Sequence, residues 1–206
     1  MMNNKVILIG YFHEIVELCE VCGKEVVGII DETPYHLPGK YLWLGTDGDI
    51  DKIALKYKNI PLIVVPDSPI VRENLVRLYS KYGFQFCNLI HPQSNISVSA
   101  EIGNGVIIQY GVNVSSKVSI NDFVKLNTLS NVMHDVNIGA FTTIAPNAVL
   151  LGKVKISDKC YLGANSTILP NIEIGTKAVV GAGAVVTKNV LPDKTVAGVP
   201  AKEMYK

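Results

Sequence analysis

The chain is predicted to fold as a small parallel α/β unit followed by a β-solenoid, and three observations lead there. Every sixth residue from Ile96 to Val186 is aliphatic, through Ile102, Ile108, Val114, Ile120, Leu126, Val132, Ile138, Ile144, Leu150, Ile156, Leu162, Ile168, Ile174 and Val180, without one exception. Residues 1–90 instead alternate short β-like runs with stretches of helical spacing. The 206 residues carry a formal charge of only +1, with Lys and Arg scattered along them.

A period of six matches neither the 3.6 of an amphipathic helix nor the 2 of a half-buried strand. It matches a prism wound from flat faces, in which each hexapeptide contributes one inward aliphatic residue and three hexapeptides close a coil. Four residues after these aliphatics come small or β-branched ones, among them Ala100, Val106, Ser130, Thr142, Ala148, Ser166, Ala178 and Ala184. They suit a tight interior near the corners. Successive coils then pair as parallel strands about 4.8 Å apart, so that each covers the backbone groups of the last. The run amounts to a little over five coils.

Ahead of it, Lys5–Gly10 reads as a strand ending in a turn, and His13–Val21 as a helix with Ile15, Val16 and Leu18 on one side. Glu25–Asp31 is a second strand, and Tyr41–Leu44 an edge strand followed by a helix over Ile50–Tyr57. Pro61–Val65 is a third main strand, Ile70–Lys81 a helix, and Phe84–Ile90 a fourth strand. This alternation implies a parallel sheet, with domains at 1–90 and 91–206.

The charge pattern offers no footprint for nucleic acid or an anionic membrane. No apolar run approaches the roughly 18 residues that span a bilayer. The opening Met1-Met2-Asn3-Asn4-Lys5 lacks a signal-peptide pattern, and a soluble cytoplasmic protein is expected. Cys19 and Cys22 form a C-x-x-C pair, but with no second pair and no histidine cluster nearby, core packing is favoured over a redox or zinc site.

Ligands of parallel α/β sheets bind beyond the carboxyl ends of the strands, which singles out Gly10, His13 and Asp31. Gly10 would let a phosphate or sugar approach the backbone, the helix start would attract it, and Asp31 would accept from a ribose or base. A turn glycine and a solvated carboxylate explain the same residues equally well. The G-x-G-x-x-G fingerprint is absent, which disfavours NAD or FAD. In the repeat, His91 sits at the junction, whereas His134 lies two residues after the inward Val132, where core packing does not explain an imidazole. The adjacent Asp135 would fix its tautomer and strengthen it as a base.

The repeat, the Asn88-Leu89-Ile90-His91 junction, Asn127, the His134-Asp135 pair, and the ending Gly181-Ala182-Gly183-Ala184-Val185-Val186-Thr187-Lys188 to Gly198-Val199-Pro200-Ala201-Lys202 together carry a resemblance. The chain resembles the hexapeptide-repeat sugar O- or N-acetyltransferases of the sialic acid and bacillosamine type, over nearly its whole length. The resemblance implies a Rossmann-like amino-terminal domain that binds a nucleotide-linked sugar, then a left-handed parallel β-helix with a carboxy-terminal extension. It implies a homotrimer with active sites between neighbouring β-helices, and acetyl-CoA as co-substrate without a metal. His134 would be the general base and Asp135 its orienting partner, with Asn127 placing the acceptor. Thr143, Gly152, Ala164 and Ala182 would line the acetyl-CoA path, with the backbone near Gly152 serving the oxyanion. Gly10, His13 and Asp31 would contact the nucleotide.

Three departures from that family stand out. Gly10-Tyr11-Phe12-His13 replaces G-x-S-G-H, Val65-Pro66-Asp67-Ser68 replaces a common Gly-Asn pair, and Thr143 stands where some relatives carry a second histidine. The expected reaction is direct acetyl transfer to a nucleotide-linked amino sugar in bacterial glycan biosynthesis, N-acetylation ahead of O-acetylation. Two other classes compete. A zinc carbonic anhydrase on the same β-helix needs three histidine ligands, against only His91 and His134 in the repeat, and a non-catalytic trimeric partner protein would not need the His134-Asp135 pair.

Overall fold

The computed structural model describes residues 4–34 and 39–204. Met1, Met2 and Asn3, part of the stretch read for a signal peptide, lie outside it. Two compact units result: one comprises the described residues up to Asp67 with Val71–Leu89, the other Ser68–Ile70 with the described residues from Ile90 onward. Among the described residues no helix is long and apolar enough to cross a membrane.

In the first unit, β1 (Lys5–Ile9) is buried on both faces from Val6 onward, as its unbroken apolar run requires of a central parallel strand. It pairs in parallel with β2 (Glu25–Ile30) on one side and β4 (Leu62–Val64) on the other. The edge strand β3 (Trp43–Gly45) lies outside β2, so the order is β3-β2-β1-β4. Helix α1 (His13–Val21) buries Ile15, Val16, Leu18 and Cys19, one stripe at helical spacing. It stops at Gly23, whose φ of +66° places it in the left-handed region while its N–H bonds the Glu20 carbonyl. Helix α2 (Ile50–Tyr57) follows a short 3₁₀ turn that Thr46 and Asp49 cap reciprocally, and α3 (Pro69–Lys81) follows β4. The expected strand over Phe84–Ile90 does not form as one piece. Phe86 makes an isolated bridge to Leu62, and only Leu89–Ile90 is strand. The chain pairs briefly on its way into the repeat, and Gly83, Gln85 and Asn88 leave no alternating pattern to sustain a ladder.

In the second unit, each aliphatic residue of the sixfold run closes a two-residue strand, and the strands stack into three parallel sheets. Face 1 carries Ile96, Val114, Val132, Leu150, Ile168 and Val186. Face 2 carries Ile102, Ile120, Ile138, Ile156 and Ile174. Face 3 carries Ile108, Leu126, Ile144, Leu162 and Val180, and is extended by Thr195–Ala197 with an antiparallel partner, Lys202–Glu203. Partners lie 18 residues apart, so one coil is three hexapeptides, as the period demands. Full burial of each Ile or Leu contributes about 1.5–3 kcal/mol. Val106, Ala148, Cys160, Ala178 and Ala184, all fully buried, complete the interior at the second inward position.

The corners were not visible in the sequence. From Ile102 to Val180, the third residue after each inward aliphatic has a positive φ, and Lys117, Phe123, Leu129, Asp135, Phe141, Asn147 and Lys153 take this conformation at 55–62°. Non-glycine residues enter it at a cost of about 1 kcal/mol or more. Here each such N–H donates to an oxygen of the preceding coil: a carbonyl in six of the seven, as from Asp135 to Ser116 at 3.0 Å and from Lys153 to His134 at 3.0 Å, and the Ser99 hydroxyl for Lys117 at 3.0 Å. The inter-coil ladder thus offsets the local strain, and glycine is not needed.

Candidate active site

His134 occupies the second corner position after Val132, at the edge where face 1 turns into face 2, and points away from the aliphatic interior. Its Nδ1 lies 2.8 Å from Asp135 Oδ2, with the two side chains 52% and 41% exposed. The hydrogen bond from His134 holds the Asp135 carboxyl below the usual carboxylate range, and the charges of His134, Lys117 and Lys153 add to it. A carboxylate on Nδ1 fixes the proton there and leaves Nε2 with a lone pair, the arrangement of a general base.

One coil later in the same column stands Gly152. A Cβ built there would lie 2.6 Å from His134 Cε1 and 2.7 Å from Nε2, distances that no side chain tolerates. The imidazole therefore rests on the glycine backbone, with its Nε2 edge over Gly152. This corner position leaves its N–H outside the inter-coil ladder. At Asn104, Thr128 and Ala140 that N–H is taken by side-chain oxygens of Asp122, Gln109 and Asp158. The N–H of Gly152 belongs to the same position, on the coil edge that carries the imidazole, and a backbone N–H there suits an oxyanion chemically.

The remaining candidates of the repeat lie elsewhere in the chain. Asn127, Ala164 and Ala182 belong to the opposite edge of face 1, where face 3 turns into it. Ala164 and Ala182 follow one another in one column, and a Cβ on neighbouring Gly163 would meet the Ala182 backbone N at 2.5 Å. Asn127 is only 5% exposed. Within one chain, then, Asn127 is not beside His134, and the width of face 1 separates them. Thr143 lies on face 3 between Lys125 and Tyr161 in register and is fully buried.

In the first unit, Gly10, His13 and Asp31 do come together. Gly10 (φ +87°) ends β1 and donates to the Ile30 carbonyl at 2.8 Å. The next N–H, of Tyr11, donates to Asp31 Oδ2 at 2.7 Å, and the Tyr11 hydroxyl lies 2.9 Å from His13 Nδ1. His13 Nε2 approaches Glu17 at 3.2 Å, one helical turn on. Tyr11 is the link that sequence reasoning missed. Trp43 was missed too: its indole N–H donates to the Asp31 carbonyl at 3.0 Å, tying the edge strand β3 to the end of β2. Asp31's partner twenty residues upstream was the available signal for Tyr11, and an exposed tryptophan opening an edge strand was the signal for Trp43.

Cys19 is fully buried, and Cys22 follows α1 as its C-cap. Burial pushes the Cys19 thiol up to about 12, as packing would. Among the described residues no three His, Cys, Asp or Glu side chains gather as a metal site.

Residues 153–188 match the family model of the bacterial transferase hexapeptide, six repeats. No curated protein sequence matches. Among solved structures, a mutant perosamine N-acetyltransferase from Caulobacter crescentus, in complex with CoA and GDP-perosamine, is similar with a TM-score of 0.92 and 28% identity over 98% of this chain and 97% of that one. The acetyltransferase domain of PglB from Neisseria gonorrhoeae, in complex with acetyl coenzyme A, has a TM-score of 0.90 and 26% identity over 98% and 100% of the two chains. WeeI from Acinetobacter baumannii has a TM-score of 0.88 and 28% identity over 97% and 100%.

Proposed function

We propose that this protein is an acetyl-CoA-dependent N-acetyltransferase acting on a nucleotide-linked amino sugar in bacterial glycan biosynthesis, with His134 as general base. The observation that carries the reading is the His134–Asp135 pair resting on Gly152 at a coil edge. The similarity along 98% of the chain to an N-acetyltransferase bound to CoA and GDP-perosamine supports it and favours N- over O-acetylation. In the reaction, Nε2 of His134 accepts a proton from the sugar amine as its nitrogen attacks the thioester carbonyl. The oxyanion so formed takes a hydrogen bond from the Gly152 N–H. Collapse of the tetrahedral intermediate breaks the C–S bond, and the thiolate of CoA takes the proton from His134.

The β-helix is left-handed and the amino-terminal unit Rossmann-like in this reading, with the divisions 1–90 for the nucleotide sugar and 91–206 for transfer, in a cytoplasmic homotrimer. The outward side chains of face 1 in its later coils, Val149, Leu151, Leu169 and Val185, are half-buried and apolar. A threefold assembly around face 1 would bring the His134 edge of one copy to the Ala164 and Ala182 edge of the next, which completes a groove for acetyl-CoA. Gly10, His13 and Asp31 hold the nucleotide at the end of the first sheet.

The test incubates the purified protein with acetyl-CoA and UDP-, GDP- or dTDP-linked 4-amino sugars and follows thiol release. His134→Ala is expected to lose about 10³-fold in turnover with the assembly intact. Release with none of the sugars, or full turnover by the variant, would refute the proposal.

A further inference from the structure

Arg72 is among the largest fully buried side chains, 1% exposed, and no step above uses it. It stands in the first turn of α3, and its Nη1 reaches back to the carbonyls of Pro66 at 2.8 Å and Asp67 at 3.1 Å. Those carbonyls belong to the loop between β4 and α3, in which Pro66 has no N–H to offer, and Pro69, also without one, opens α3. The guanidinium supplies the donors that the loop lacks.

The loop's place gives this bond a consequence. β1 sends the chain toward β2 on one side of the sheet, whereas β4 leads on to the Phe86 bridge on the other. The strand order reverses between β1 and β4, and in parallel α/β sheets ligands bind in the crevice at such a point. One wall is Gly10 and Tyr11, and the other is Val65–Asp67. The walls touch at their base, since a Cβ on Gly10 would lie 3.4 Å from Pro66 Cδ and 3.6 Å from Val65 Cβ.

Burying a guanidinium costs several kcal/mol, and apolar residues of like volume commonly serve stability as well or better. Burial lowers the Arg72 pKa to about 10, against the nearby charge of Asp67, so the group stays charged at neutral pH. Two N–H bonds from one nitrogen, Nη1, fixed in direction by the guanidinium plane, are what an apolar residue does not provide and what the freely rotating ammonium of lysine provides only in part.

We propose that Arg72 is a positioning residue for the acceptor's nucleoside diphosphate: by clamping the Pro66 and Asp67 carbonyls from behind, it holds the β4 wall of the crevice in its binding geometry. The proposal rests on the nucleotide-sugar reading above. It also accounts for Pro66 in the loop and Pro69 at the start of α3, because the stiffness of the wall is set by Arg72 and the two prolines together.

The experiment compares wild type, Arg72→Met and Arg72→Lys as full-length proteins. UDP and GDP binding is measured by calorimetry, and steady-state transfer is measured with both substrates varied. Arg72→Met is expected to weaken nucleoside diphosphate binding at least tenfold and to raise the acceptor KM by a similar factor. Its kcat and its KM for acetyl-CoA should stay within about twofold, and Arg72→Lys should recover part of the loss. An unchanged acceptor KM, a parallel rise of both KM values with a fall in melting temperature, or a wild type that binds neither nucleotide would each overturn the inference. If Arg72→Met does not fold, the same ratios in Arg72→Lys decide the matter. A wild type that binds UDP or GDP without transferring acetyl would instead refute the transferase reading, and the binding ratio of the variants would still test Arg72.

Discussion

Replacing Gly152 by Ala should separate activity from stability. The new Cβ would stand 2.6 Å from His134 Cε1 and 2.7 Å from Nε2, whereas carbon contacts settle at about 3.5–4.0 Å. The imidazole must therefore retreat by about 1 Å. Its only soft motion is rotation away from the coil, which pulls Nδ1 off the carboxylate it meets at 2.8 Å. A displacement of about 1 Å in a reacting group costs on the order of 10²-fold in rate, or about 2.7 kcal/mol of barrier. Stability should move the other way. Gly152 is not among the residues with positive φ, so alanine suits its backbone and narrows the unfolded ensemble, worth about 0.4–1 kcal/mol. Steady-state kinetics with a melting curve on the same preparation is the assay. A kcat within about threefold of wild type would refute the contact argument, and a rate loss matched by a lower melting temperature would mean that the coil, not the imidazole, had moved.

Three further outcomes follow from the same geometry. Asp135→Asn should fold normally, because asparagine tolerates the φ of 58° there, yet lose on the order of tenfold in kcat with the carboxylate's charge; wild-type kcat would remove Asp135 from the mechanism. Ser166→Ala should raise stability by about 1 kcal/mol in calorimetry without changing turnover, since Ser166 Oγ is buried without a hydrogen-bond partner between Ala148 and Ala184 of its column; a lower melting point would mean that the hydroxyl is satisfied. Alkylation of the native protein at pH 8 should spare Cys19 and Cys160, whose thiols burial pushes up to about 12 and about 11; rapid labelling of either would contradict its packing, as read by mass spectrometry of the digest.

The solenoid was legible because its interior repeats chemically. An aliphatic residue at every sixth position admits only a coil of that period, and 18-residue register follows by multiplication. The corners were illegible because no residue type marks them. Lys117, Phe123, Leu129 and Asp135 share one backbone conformation and no side-chain property, for what selects the conformation is an N–H bond to another coil. The α/β unit was readable where strands are buried on both faces, and it failed over Phe84–Ile90, where only brief bridging remains.

The site divides along the same line. His134 could be found by what it is not, an aliphatic residue, and Asp135 by adjacency. Gly152 becomes specific only through register: 134 plus 18 is 152, so the repeat that builds the wall also puts a glycine against the imidazole. Thr143 was named by family position alone, and its full burial on face 3 is a property that no local sequence pattern carries. Arg72 shows the converse. A charged residue early in a helix reads as solvated, and only the paired carbonyls of Pro66 and Asp67 reveal that it faces inward. Function in this chain therefore tracks departures from pattern: an imidazole on an aliphatic prism, a glycine where the ring must lie flat, and a guanidinium under the wall of a crevice. In the proposed mechanism each of the three stands where a ligand's approach would depend on it.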